Sequence, residues 1–113
     1  MKKILLVDDD PTMQRLLKTL LQLEGLEVIP WTPGEDVVTL TQREKPDSIL
    51  MDVNLKGKNG FELLAEIRAH PDFRQMQVIM TSGMDYRARC TAAGANGFLL
   101  KPFMPEELIK FVK

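Results

Sequence analysis

Cysteine and histidine are almost missing from this chain of 113 residues, which has one of each, Cys90 and His70. A lone cysteine excludes an internal disulfide and any cysteine-rich zinc site. Excess charge of either sign is missing too, since 15 Lys and Arg against 16 Asp and Glu leave a formal charge of -1. A domain held directly to nucleic acid by charge needs a basic face, so that class is set aside. Long apolar runs are absent: the longest, such as Ile4–Val7, fall far short of the roughly 20 residues that span a bilayer. The N-terminus does not have signal-peptide form, and there is no low-complexity tract or linker. What remains is a soluble domain, expected in the cytoplasm and away from membranes. At roughly 100–200 residues per domain the length suits one domain over 1–113, with enough chain for a real core. The composition, 44% hydrophobic and 27% charged, agrees with a globular domain.

Five short apolar segments recur along the chain: Ile4–Val7, Leu26–Ile29, Ser48–Met51, Gln77–Met80 and Gly97–Leu100. Their spacing of about 20–30 residues is that of βα units. The first is wholly apolar, as in a parallel strand covered on both faces. Between the strands the pattern turns helical. Asp10 can cap a helix with Pro11 in its first turn, and Met13, Leu16, Leu17, Leu20 and Leu21 form its apolar stripe up to Gly25. Thr32-Pro33-Gly34-Glu35 reads as a capping box for a second helix carrying Val37, Val38 and Leu40. A third begins at Asn59 and buries Phe61, Leu64 and Ile67. The fourth is expected from Met84 to Ala93, and the short fifth begins at Pro105 with Glu106 and Glu107 facing its dipole. The fold class is α/β, a doubly wound (βα)5 parallel sheet.

Ligands of open parallel sheets sit beyond the carboxyl ends of the strands. Here those ends read Asp8-Asp9-Asp10, Asp52, Thr81-Ser82 and Lys101. Gathered carboxylates repel by several kcal/mol at about 4 Å, at an effective dielectric near 20, unless a cation lies between them. Magnesium suits such a site, taking one or two carboxylates and leaving positions for water and phosphate. Asp52 ends an apolar strand, so its carboxylate is held in place, as a nucleophile forming an acyl phosphate must be. Thr81 and Lys101 supply the hydroxyl and the cation that phosphoryl oxygens need. Each residue has a plainer reading alone: an acidic turn with Asp10 as cap, a turn aspartate, a β-branched strand end, a solvated lysine. Four strand ends converging on one chemistry outweigh those readings.

Lys3 to Asp10, Asp47 to Asp52 running on to Asn59-Gly60-Phe61-Glu62-Leu63-Leu64, Met80-Thr81-Ser82-Gly83, and Gly97-Phe98-Leu99-Leu100-Lys101-Pro102-Phe103 together resemble the receiver domain of two-component response regulators, over essentially the whole chain. The resemblance implies a flavodoxin-like sheet of strand order 2-1-3-4-5 and a cis Lys101–Pro102 bond. It implies that Asp52 accepts a phosphoryl group from a histidine kinase or phosphotransfer protein. Magnesium would be held by Asp8, Asp9, Asp52 and the backbone carbonyl of Asn54. Thr81 and Lys101 would bind phosphoryl oxygens, Phe98 would swing inward with Thr81, and Asn54 would tune dephosphorylation. Output would pass to a downstream effector, or to a second copy of the chain, through the face of the fourth helix, fifth strand and fifth helix. Catalysis would extend only to the domain's own phosphorylation and dephosphorylation. Three positions depart from the usual pattern: Lys56 replaces a common proline, Ser82 a common alanine, and Phe98 a frequent tyrosine.

Gly57-Lys58-Asn59-Gly60 lacks the spacing of a phosphate loop and reads as a tight turn into the third helix. His70 is expected to close that helix at the surface and Cys90 to be packed. Trp31 is expected to be partly buried, Arg87 and Arg89 to be solvated, and Met84 and Met104 to lie exposed near the output face. Two other functions compete. A pseudo-receiver that binds partners without phosphate has no reason to keep Asp8, Asp9, Asp52, Thr81 and Lys101 together. An aspartate-nucleophile phosphatase needs a second acid two residues after Asp52, where this chain has Asn54.

Overall fold

The computed structural model describes residues 2–113. Five parallel strands form one sheet: β1 (Lys3–Val7), β2 (Glu27–Pro30), β3 (Ser48–Asp52), β4 (Gln77–Ser82) and β5 (Gly97–Leu100), in the order β2-β1-β3-β4-β5. The helices are α1 (Pro11–Leu23), α2 (Val37–Glu44), α3 (Gly60–Ala69), α4 (Arg87–Ala92) and α5 (Pro105–Val112). Alternate residues of each strand face opposite sides, and this splits the core in two. Leu5, Val7, Ile49, Met51, Val78 and Met80 pack with Val37, Leu40, Leu63, Leu64, Ile67 and Cys90, under α2, α3 and α4. Ile4, Leu6, Leu50, Ile79 and Leu99 pack with Leu17, Leu21, Leu108 and Val112, under α1 and α5. A strand buried on both faces has no polar position to spare until it ends, and there the sequence turns to Asp8, Asp52 and Ser82.

The first and fifth helices begin where expected, with the Asp10 carboxylate accepting from Thr12 and Met13 backbone N–H groups. The second does not. Gly34 takes φ +102°, off the helical path, so the chain completes a turn and α2 starts at Val37, capped by Asp36. Glu35 still accepts from the Thr32 backbone N–H, as half of the expected box, but it closes that turn instead of a helix. The fourth helix is shorter than Met84–Ala93. Ser82 Oγ accepts from Met84 N and Asp85 Oδ1 from Arg87 N, so side chains satisfy the backbone donors that an earlier helical turn would need. β2 lies one residue later than expected. On α1, Leu16 of the expected stripe is 53% exposed, and on α3, Phe61 is half-buried while Leu63 joins the core.

A small antiparallel hairpin, Asn54–Leu55 against Lys58–Asn59, stands between β3 and α3. Gly57-Lys58-Asn59-Gly60 is therefore not just a turn: Gly57 turns the hairpin at φ +76°, and Asn59 ends it and caps α3. Gly60 follows at a close approach, where a Cβ would run into the carbonyl oxygen of Asp52 and lie 2.7 Å from Cα of Val53. His70 closes α3 and stacks on Phe73 at 4.4 Å, and Trp31 and Cys90 are buried. Among the described residues no helix is long and apolar enough to cross a membrane.

Candidate functional site

Strand register assembles the site. Val7 pairs with Met51, Asp52 with Thr81 and Ser82 with Leu100, so the residues that follow β1 and end β3, β4 and β5 meet at one edge. Asp8 and Asp52 are buried, at 7% and 9% exposure. Lys101 reaches both, with Nζ 2.5 Å from Asp52 Oδ2 and 3.0 Å from Asp8 Oδ2. Burial alone would lower the lysine pKa. Hydrogen bonds to Asp52 and Asp8 and the charges of both outweigh it, and the ammonium is held above its ordinary range. The Lys101–Pro102 bond is cis, as the resemblance implied.

The other carboxylate oxygens are taken by backbone amides that follow closely in the chain. Asp52 Oδ1 accepts from Asn54 N at 2.9 Å and Asp8 Oδ1 from Asp10 N at 2.8 Å. Asp9 is turned differently. Its Oδ2 accepts from the Lys56 backbone N–H at 2.6 Å, and its Oδ1 is buried with no hydrogen-bond partner.

Thr81 is at the edge of Asp52, but its hydroxyl donates to the Leu99 carbonyl at 2.8 Å. Phe98, the residue before Leu99, is 7% exposed, with the Arg87 guanidinium 5.6 Å from its ring centroid. The aromatic is thus already covered while the threonine hydroxyl is spent on the backbone of β5. Arg87 and Arg89 are exposed but not merely solvated, since Arg89 lies 4.1 Å from the Phe61 centroid. Asn54 is exposed, and its amide Nδ2 donates to Ser82 Oγ at 3.3 Å. Met84 and Met104 are exposed, at 62% and 63%.

Two groups escaped the sequence reading. Gln14 on α1 donates through Nε2 to the carbonyls of Asp8 and Trp31, each at 2.9 Å, and so ties the loop after β1 to the end of β2. A glutamine next to Met13 of the apolar stripe was its one available signal. The Lys56 amide had no signal beyond the absence of the usual proline.

The acidic set suits a divalent cation. A buried carboxylate oxygen without a partner is costly, and Asp9 has one. Among the described residues the only ammonium bonded within the set Asp8, Asp9 and Asp52 is Lys101, which reaches Asp8 and Asp52 but not Asp9. Among the described residues no three such side chains already form a closed metal cluster. Magnesium does not need one, because it keeps several waters and takes few carboxylates.

The family model described as response regulator receiver domain matches residues 4–113. A probable transcriptional regulator, ycf27, of Cyanophora paradoxa is 33% identical over 107 residues, which cover 95% of this chain and 45% of that protein. The chain thus spans about half the length of the first curated relatives it matches. Protein PilH of Pseudomonas aeruginosa is 33% identical over 115 residues, covering 99% of this chain and 95% of that protein. Among solved structures, the receiver domain of a sensor histidine kinase from Pseudomonas aeruginosa, with magnesium ion coordinated in its active site cleft, superposes with a TM-score of 0.86. It is 32% identical and covers 98% of this chain and 93% of that one.

Proposed function

Because this chain belongs to the response regulator receiver domain family, we propose that it is a phosphorylation switch in which Asp52 accepts a phosphoryl group from a histidine kinase or phosphotransfer protein. Residues 1–113 act as one receiver unit in this reading. The observation that carries it is the Lys101 ammonium seated between Asp52 and Asp8, both almost fully buried. Removing charged groups from water in this way is expensive and only partly offset by their attraction, a cost that a phosphoryl-transfer site gives a reason to bear.

In the transfer, an Asp52 carboxylate oxygen forms the new O–P bond as the P–N bond of the donor phosphohistidine breaks, and the imidazole leaves with that electron pair. Asp8, Asp9, Asp52 and the backbone carbonyl of Asn54 would hold magnesium, which would supply charge stabilisation for the phosphoryl oxygens. The protein groups do the rest. Lys101 is a fixed cation close to the reacting carboxylate, and its reach to Asp8 keeps it there. Thr81 can donate to a phosphoryl oxygen only by releasing the carbonyl of Leu99. That exchange transmits the event to β5 at the residue after Phe98, toward the α4-β5-α5 face. A few kcal/mol of differential binding is enough to move such a two-state equilibrium. Exposed Met84, Leu100 and Met104 give that face an apolar component for an effector or for a second copy of the chain.

The test is to incubate the protein with magnesium and a small phosphodonor and to look for an acid-stable, base-labile adduct, with Asp52→Ala alongside. A stoichiometric adduct that Asp52→Ala lacks is the expected result. No adduct on the wild type would leave a phosphate-independent interaction domain. Rapid multiple turnover of phosphomonoesters would make the protein a phosphatase.

A further inference from the structure

Asp9 is held by a group that has no side chain. The backbone N–H of Lys56 donates to its Oδ2 at 2.6 Å, across 47 residues of sequence, while Oδ1 stays buried without a partner. A carboxylate whose one oxygen is fixed by a short, charge-assisted hydrogen bond cannot rotate freely. Its other oxygen is thereby kept in one buried, unpaired position. From this we propose that the Lys56 amide is a positioning group for the cation site, presenting Asp9 Oδ1 to a divalent metal and tying metal occupancy to the hairpin of Asn54–Leu55 and Lys58–Asn59. The proposal rests on the reading of this site as a magnesium-dependent receiver.

The turn itself supports the assignment. Lys56 and Gly57 are its two central residues, between Leu55 and Lys58, which pair across the hairpin. Gly57 has φ +76°, and Lys56 is not among the residues of positive φ. That is the pattern of a type II turn, in which the first central position accepts proline readily. Leu55 before it is in extended backbone, which proline also tolerates in its predecessor. Proline would therefore suit the turn, and the residue present instead supplies an N–H that reaches Asp9. Outer groups that orient a metal ligand commonly govern metal affinity by 10–100-fold, as a rough range.

Two substitutions separate the backbone donor from the side chain. Lys56→Pro deletes the N–H and the ammonium while keeping the turn, and Lys56→Ala deletes the ammonium alone. Magnesium chloride alone, with no phosphodonor, is titrated into each protein by calorimetry. The expected result is that Lys56→Pro binds magnesium about tenfold more weakly, while Lys56→Ala stays within about twofold of the wild type. Equal affinity of Lys56→Pro and wild type overturns the proposal. So does equal weakening in both variants, which would assign the effect to the side-chain charge. A second measurement uses the wild type only and does not depend on the proline variant folding. The Lys56 amide proton should be protected from solvent exchange, and its resonance should shift with magnesium at the calorimetric midpoint. A freely exchanging amide that ignores magnesium overturns the inference. A wild type that takes an adduct on Asp52 and binds magnesium, but with an indifferent Lys56 amide, leaves the receiver reading intact and removes this one alone. A wild type that binds no magnesium removes both.

Discussion

The Lys101 ammonium lies 2.5 Å from Asp52 Oδ2, the shortest ion pair among the described residues. With its second bond to Asp8 it holds two buried carboxylates that would otherwise face each other uncompensated. Lys101→Ala should lower stability at neutral pH by about 2 kcal/mol, between the values for exposed and for fully buried pairs. Added magnesium should recover more stability in this variant than in the wild type. The pH dependence follows from the raised lysine pKa. A raised folded-state value means that the contribution is complete below the free lysine value, about 10.4. It is lost as pH rises through the higher folded-state value. Urea melts of both proteins from pH 7 to 11 should keep a constant gap until the alkaline end and then converge. A gap that closes below pH 9 would contradict the ion pair.

Gly60 is needed for space rather than for freedom of φ. A Cβ there would meet the main chain of Asp52 and Val53, which cannot move without moving the proposed phosphoacceptor. Gly60→Ala should cost about 2–3 kcal/mol, as overpacking against backbone does, and should slow adduct formation on Asp52. Gly97→Ala is the contrast. The nearest atoms to its Cβ would belong to the half-buried ring of Phe111, from 2.5 Å, and a side chain can turn away. Its loss should stay below about 1 kcal/mol. Equal destabilisation of the two variants in urea melts would refute the distinction.

The ring of Phe98 has no hydroxyl to anchor it, and the Arg87 guanidinium lies over it. Arg87→Ala should cost only about 0.5 kcal/mol, because exposed cation–π contacts are weak. Its effect on the ring should be larger than its effect on stability. The Phe98 ring resonances should broaden or shift toward solvent-exposed values, while those of Phe61, stacked with Arg89, should not. Unchanged Phe98 resonances would show that packing alone holds the ring.

Much of this arrangement was legible because strands buried on both faces leave a distinctive mark. Ile4–Val7 and Ile49–Met51 can only be central strands, and the first acid after each must then lie at the sheet edge. Asp8, Asp52, Thr81 and Lys101 were found by that logic, and register brings them together. Local competition was not legible. The start of α2 was displaced by Gly34 and taken over by Asp36, and α4 was shortened by Ser82 and Asp85, which satisfy backbone donors ahead of it. The hairpin has arms of two residues each, too short for any periodic pattern. Main-chain groups left little trace: the Leu99 carbonyl at Thr81 is not marked by residue type, and the Lys56 amide at Asp9 only by the absence of the usual proline.

In the proposed switch, Asn54 and Ser82 together should bear on how long the phosphoryl group lasts. Asn54 is anchored through its backbone, whose N–H donates to Asp52 Oδ1 at 2.9 Å, so its side chain starts two residues from the proposed phosphoacceptor. The amide Nδ2 donates to Ser82 Oγ, which also accepts from Met84 N at 3.1 Å. With Nδ2 so engaged, the amide carbonyl oxygen is the group left to orient a water attacking the phosphorus, and orientation of that kind is worth real rate. Asn54→Ala should lengthen the lifetime of the adduct by about threefold or more. Ser82→Ala should act in the same direction but less, because it frees the amide without removing it. If Ser82 works through Asn54, the double variant should match Asn54→Ala alone instead of summing the two effects. The measurement is the decay of phosphorylated protein after the phosphodonor is removed, with the rate of adduct formation as control. An unchanged lifetime in Asn54→Ala would remove the amide from the hydrolytic step, and additive single effects would give Ser82 a separate role of its own.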